Sequence, residues 1–219
     1  MADRPEHHVL FIEQGGNALV ADVDSIDFNS GTLTVSFTAG SDNAEDVLGI
    51  RDQGTGVGQI GVSGANVTYG GVTIGTYTGG SSGANLVITF NGSATPAAAQ
   101  ALVQNITYQN TDTGAPTTGA RTVRYVLTDG DGGTSTNSDT TVTVSGVNDP
   151  PVNSVPGPQT VAEDMPLSLS GLSVTDVDGN LSTVQLGVLN GTVTVTLQGA
   201  ATISAGSNGS SSLTLSGTQ

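Results

Sequence analysis

Short runs that alternate polar and apolar residues, each cut off by a glycine-bearing turn, leave this chain little option but sheet. Thr32-Leu33-Thr34-Val35-Ser36-Phe37 alternates, and so do residues 122–127, 140–144 and 192–197. A period of two sends one set of side chains to a core and the other to water. The breaks fall at Asn29-Ser30-Gly31, Gly70-Gly71, Gly79-Gly80, Asn190-Gly191 and Asn208-Gly209, all of them turn chemistry. Aromatic residues make up only 4% of the chain, so the cores must be built mainly from Val, Leu and Ile. One stretch departs from the pattern. Thr95-Pro96-Ala97-Ala98-Ala99-Gln100-Ala101-Leu102-Val103 offers a threonine N-cap, proline at the first helical position and an alanine run, and predicts one short helix. It leads into a strand at 105–108.

Charge narrows the function. Nineteen acids stand against Arg4, Arg51, Arg121 and Arg124, with no lysine, for a net charge of −15. A nucleic-acid binder needs a basic face and is excluded, and anionic membrane surfaces are disfavoured for the same reason. With no cysteine there are no disulfides or thiolate metal sites, and with no lysine there are no Lys–Asn cross-links. No run of about 18 apolar residues exists to form a spanning helix. Residues 1–8 are polar and lack an apolar signal core, so the chain is expected to be a fragment or to carry its export signal elsewhere.

The acids are not scattered. Asp22-Val23-Asp24 recurs as Asp176-Val177-Asp178, each preceded by a glutamate in an apolar-flanked segment, Glu13 and Glu163, and Asn148-Asp149-Pro150-Pro151 lies between the two copies. Calcium takes six to eight oxygens, mostly carboxylate, carbonyl and water. Residues i and i+2 of an extended segment point the same way, so an Asp-x-Asp at a strand end can aim two carboxylates at one ion. Asp129 and Asp131 repeat the spacing between two expected strands, and Asp149 sits in a proline-stiffened linker. The plain alternative is that aspartate beside glycine is an ordinary turn former. Recurrence of the same acids in both halves favours calcium, since turn chemistry does not require it.

The halves align from the glutamate through Asp-Val-Asp, strand, Gly-rich hairpin and strand, with Leu86-Val87-Ile88-Thr89-Phe90 matching Leu213-Thr214-Leu215. Two domains are expected, 1–149 complete and 150–219 truncated at its C-terminal side, the latter with unpaired edges.

Other motifs do not carry chemistry. Gly56-Val-Gly-Gln-Ile-Gly61 fits a dinucleotide fingerprint, but no helix follows to meet a pyrophosphate. Asp129-Gly-Asp131-Gly is not an EF-hand, because Thr140 stands where the bidentate glutamate belongs. His7 and His8 are the only histidines and lie at the start of the chain, where no Ser-His-Asp triad can use them. A glycosidase pair of acids would want aromatic cleft walls, and there is no tryptophan. No enzyme activity is expected.

The order Val147-Asn-Asp-Pro-Pro-Val152, Val161-Ala-Glu-Asp-Met-Pro-Leu167, Val174-Thr-Asp-Val-Asp-Gly179 resembles the cadherin-like tandem-95 repeats of large bacterial surface adhesins. The first half is similar to a sister repeat through Ala21-Asp-Val-Asp-Ser25, Ala44-Glu-Asp-Val-Leu48, Ile106-Thr-Tyr-Gln-Asn110, Ala120-Arg-Thr-Val123 and Leu127-Thr-Asp-Gly130. The resemblance implies tandem Greek-key β-sandwiches, cadherin- or immunoglobulin-like, with Ca²⁺ at inter-repeat junctions. Carried over by position, Asn148, Asp149, Glu163, Asp176 and Asp178 form a junction group, and Glu13, Asp22, Asp24, Asp46, Asp129 and Asp131 a first-domain group. Gln14 stands where the second repeat has Asp164. The implied function is a calcium-rigidified spacer in a secreted or cell-surface adhesin. Its partners would be neighbouring repeats of the same polypeptide, with any glycan or protein target outside this chain. The competing readings are a carbohydrate-binding module, resting on Tyr69 and Tyr77 beside a Gly-rich hairpin, or an accessory domain of a secreted hydrolase.

Overall fold

The computed structural model describes residues 9–13, 15–23 and 25–217. It is mostly antiparallel sheet with one short helix, and it divides into two compact units, Met1–Gly146 and Val147–Gln219. No helix among the described residues is long and apolar enough to cross a membrane.

In the first unit, β1 (Val9–Phe11), β8 (Ile106–Asn110) and β3 (Asp46–Ile50) form a three-stranded sheet in the order β1-β8-β3. The seven-stranded sheet runs β10 (Ser138–Val144), β9 (Gly119–Thr128), β2 (Thr32–Ala39), β7 (Leu86–Phe90), β6 (Val72–Thr78), β5 (Asn66–Tyr69), β4 (Ile60–Ser63). The expected alternation is what folds. Leu33 and Val35 of β2, Leu86 and Ile88 of β7 and Val123 of β9 are buried, and they share one core with Leu48, Ile106 and Tyr108 of the smaller sheet. Helix α1 (Pro96–Val103) closes that core with Ala98, Ala99 and Leu102, and the Thr95 side chain accepts from the Ala98 N–H as its N-cap. Gly70 and Gly71, at φ 58° and 83°, make the two-residue turn between paired Tyr69 and Val72, the conformation a tight hairpin needs.

The second unit has a two-stranded sheet, β11 (Val152–Ser154) with β12 (Ser173–Thr175), and a three-stranded one in the order β13 (Thr183–Gly187), β15 (Ser212–Ser216), β14 (Thr202–Gly206). Here the expected strand at 192–197 does not form. Only Val193 makes a bridge, to Ser210. Two residues on, the Asn208 side chain takes the place of a strand partner, accepting from the Val195 N–H at 2.9 Å and donating to the Val195 carbonyl at 3.0 Å. A side-chain amide ends the ladder after one bridge.

The three-stranded piece of the second unit reproduces part of the first. Leu33 faces Ile88 and Val35 faces Leu86 across β2 and β7. Val184 faces Leu215 and Leu186 faces Leu213 across β13 and β15. Gly79 (φ 77°) and Gly206 (φ 73°) each precede the paired leucine by seven residues. At both, an added Cβ would strike a backbone carbonyl at the start of the next strand, that of Asn85 just before β7 or that of Ser212 in β15.

Close backbone approach also fixes the end of the first unit where the acids lie. A Cβ on Gly31 would sit 2.2 Å from the Thr128 carbonyl oxygen and 3.0 Å from that of Phe28. Gly31→Ala is therefore expected to destabilise the first unit by about 1–3 kcal/mol, the usual cost of overpacking, read as a lowered unfolding midpoint. All four tyrosines lie in this unit, so tyrosine fluorescence reports it. Gly157→Ala, where the methyl meets open space, should leave the midpoint unchanged.

Candidate metal centre

The expected ligands separate into four settings. The first is a buried ion pair. Arg121, on the inward face of β9 with Val123, is 1% exposed in its side chain, and its Nε donates to Asp46 Oδ2 at 3.0 Å. Asp46 Oδ2 also accepts from the Asp42 N–H, and Oδ1 accepts from the Tyr108 hydroxyl and from Asn110 Nδ2. Four donors occupy the roughly four acceptor sites of a carboxylate. Glu45 Oε1 lies 3.6 Å from Arg121 Nη2 and accepts from the Thr117 N–H. Asp46 is thus the counter-ion of an arginine, tying β3 to β9, and it has no oxygen site left for calcium.

The second setting is the loop pair of the first unit. Asp129 Oδ1 accepts from the N–H groups of Asp131, Gly132 and Gly133, and Oδ2 accepts again from Gly133. Its carboxylate is spent on closing its own loop. Asp22 Oδ1 likewise accepts from the Ser25 N–H. Ser25 Oγ then reaches Asp131 Oδ2 and the Asp27 carbonyl, both at 3.0 Å. Ser25 therefore joins Asp22 to Asp131. Asp24 lies outside the described residues, as do Gln14, His7 and His8.

The third setting is the second unit. Antiparallel pairing of Val152 with Thr175 brings the chain before β11 beside the chain after β12. The Asp149 N–H donates to Asp178 Oδ2 at 2.6 Å, and Asn180 Nδ2 donates to Asn148 Oδ1. Asp176, buried at 6% exposure, accepts from the Asp178 N–H through Oδ1 at 3.0 Å, and its carbonyl accepts from Gly179. Asn148, Asp149, Asp176 and Asp178 are thus laced together, while Glu163 stands exposed in a separate turn.

The two Asp-x-Asp loops described in full share a rule. The first aspartate turns back on the chain's own amides, so the segment is a turn and not the extended pair expected. The second aspartate, Asp131 or Asp178, holds a different segment. The plain turn-former reading applies to Asp129, both of whose oxygens are taken by its own loop, while Asp176 closes its turn through Oδ1 and its carbonyl.

Glu13 occupies the fourth setting, a cleft of about 640 Å³ with walls that include Ile12, Leu19, Leu33, Tyr125 and Leu127. Its Oε1 accepts from the Asn17 N–H, while its Oε2 and the Tyr125 hydroxyl are buried without a hydrogen-bond partner. Tyr125 lies about 13 Å from Asp129 at the usual strand rise, so Glu13 is apart from Asp129. Among the described residues no three His, Cys, Asp or Glu side chains gather as a group able to hold a metal ion.

Arg121, Glu45, Tyr108 and Ser25 were not singled out by sequence reasoning. For Arg121 a signal existed, because it shares the parity of Val123 in an alternating strand, and an inward guanidinium needs a buried acid. Comparison of the chain with protein-family models, curated proteins and solved structures finds no match.

Two measurements follow. Arg121→Met strands Asp46 and Glu45 in the interior, and breaking a buried pair by removing one partner costs about 3–5 kcal/mol, so denaturant unfolding should show a loss of that order. Burial, and then the hydrogen bond to Asp46, push Tyr108 up to about 12 from an ordinary 10.0. Burial and the Glu13 charge raise Tyr125 as well. A raised phenol pKa stabilises the fold fully below pH 10, and that contribution is lost as pH rises from 10 toward about 12. Tyrosinate absorbance should therefore show late-ionising tyrosines that Tyr108→Phe reduces. Full titration at the ordinary phenol pH would contradict the buried network.

Proposed function

We propose that this chain is a pair of structural repeats, cadherin- or immunoglobulin-like Greek-key sandwiches, acting as a spacer in a cell-surface adhesin and stiffened by calcium. What supports the reading is the lacing of Asn148 and Asp149 onto the Asp176–Asp178 turn. Acids and amides hold the segment that enters the second unit against that turn. Their side chains are hard oxygen donors, the class calcium prefers. An arriving ion would have to draw Asp149, Asp176, Asp178 and the Asn148 amide oxygen together from these hydrogen-bonded positions, with carbonyl groups and water completing its shell. In the first unit Asp22 and Asp131 would serve, joined already through Ser25. Asp46 and Asp129 are left out because their oxygens are occupied, and Glu13 and Glu163 because they stand elsewhere. Bound calcium would neutralise acids on a surface that carries −15 overall and lock the entering segment in place.

The carbohydrate-binding alternative loses its footing on the aromatics. Tyr69 and Tyr77 pack against the core of the first unit and are not set out as a stacking platform.

Extracellular calcium modules bind at about 10⁻⁴–10⁻³ M, and a hundredfold excess over Kd stabilises by about 2.7 kcal/mol. Millimolar calcium should therefore raise the melting temperature by several degrees, and chelation should reverse it. Asp176→Asn and Asp178→Asn should each remove most of the response of the second unit, followed by amide exchange of β11 and β12. A melt indifferent to calcium and chelator would overturn the reading.

A further inference from the structure

We infer that the outer edge of β13 is an acceptor site for an extended polypeptide segment that carries the pattern of β9. The correspondence between the units carries the inference. By strand register Val184 takes the place of Leu33, Leu186 that of Val35, Leu213 that of Leu86 and Leu215 that of Ile88. In the first unit all four positions are buried to within 1%. In the second only Leu213 is buried, and Val184, Leu186 and Leu215 remain partly open. Besides the smaller sheet and α1 that cover the first unit's core face, one difference lies on the other side of the strand. β2 has β9 along its second edge, with Leu33 opposite Leu127 and Val35 opposite Tyr125. β13 ends its sheet, and among the described residues no strand pairs with its outer edge.

That edge lacks the usual defences. Thr183-Val184-Gln185-Leu186-Gly187 contains no proline and no charge, whereas exposed edge strands are normally blunted by one or the other. Val188 and Leu189 follow it, Val188 at 40% exposure and Leu189 fully exposed. Main-chain hydrogen bonds would give the affinity of an added strand and the alternate side chains its register.

The register defines the occupant. It runs antiparallel to β13, with a large apolar side chain opposite Val184 and another opposite Leu186, the places Leu127 and Tyr125 hold against β2. Its charge is constrained too. The second unit carries Asp149, Glu163, Asp164, Asp176 and Asp178 and no arginine or lysine, so a neutral or basic strand fits. β9, with Arg121 and Arg124, has that character.

The test uses the whole chain and a synthetic peptide of residues 119–128, with hydrogen exchange read segment by segment. Added peptide should protect Thr183–Gly187 and leave its own strand in the first unit unaffected. A scrambled peptide of the same composition controls for the attraction of two arginines to an acidic protein. Replacing the peptide residues equivalent to Tyr125 and Leu127 by serine should weaken binding by about tenfold or more, as expected for loss of a buried apolar side chain. This change cannot unfold the protein. Val184→Thr with Leu186→Thr should do the same while Ser212–Ser216 stays protected. No protection of β13, or equal protection by the scrambled peptide, would overturn the assignment. Protection that appears without peptide and grows with protein concentration would assign the edge to a second copy and overturn it equally. None of these outcomes depends on calcium, so this proposal and the spacer reading fail separately.

Discussion

The first unit hangs on one guanidinium. Arg121 lies on β9 of the seven-stranded sheet and Asp46 on β3 of the three-stranded sheet, and their contact is made in the interior at 3.0 Å. A charge moved from water into a core costs several kcal/mol unless its partners are complete. Here they are complete on both sides. Asp46 receives four donors, and Arg121 also reaches the carbonyls of Thr117 and Gly119. The pair therefore does more than attract. It allows one relative placement of β3 and β9, because any slip leaves a buried carboxylate without its donors and a buried guanidinium without its acceptors. The Tyr108 hydroxyl on β8 joins the same carboxylate, so three strands from both sheets meet at one oxygen-rich point inside an otherwise apolar core.

That arrangement explains why acids so similar in sequence end in such different settings. Asp46 is buried at 2% exposure because a cation awaits it. Asp129 is met instead by three backbone amides in a glycine loop that only short, permissive residues can form. Asp131 and Asp178 close onto neighbouring segments instead. A carboxylate in this chain is satisfied by whichever donors its loop geometry delivers first, and only the remainder is offered to an ion. This divides the proposed calcium ligands from the acids that merely shape the loops around them.

The sheet architecture was largely written in the alternation. Residues 32–37, 86–90, 122–127 and 140–144 lie in strands, and Thr95-Pro96 starts the helix. Period two is a local property, and local rules suffice where a strand is held by its neighbours along most of its length. They fail at 192–197, where the competing partner is the side chain of Asn208, thirteen residues away from Val195. The acids were harder to place for the same reason. Recurrence located Asp22 and Asp176 in equivalent segments, but which donor meets each oxygen depends on loops brought together by β9 and β12. Ser25 gave no sign in the sequence of bridging Asp22 and Asp131. Arg121 did give one, since its parity with Val123 requires it to point inward.

The two units finally show what a shared strand piece needs beyond its own sequence. β2, β7 and β6 and their counterparts β13, β15 and β14 match in order and in the placement of a left-handed glycine, and in register except for an irregularity at Ile203/Ala205 of β14. Their side chains are of the same kind, yet one set is dry and the other is not. Burial therefore does not follow from the alternation of these strands alone. It follows from what covers them: β9 on the second edge of β2, and the smaller sheet and α1 across the core face. The same leucine and valine positions supply a closed core in one unit and stand partly open in the other, according to what covers them.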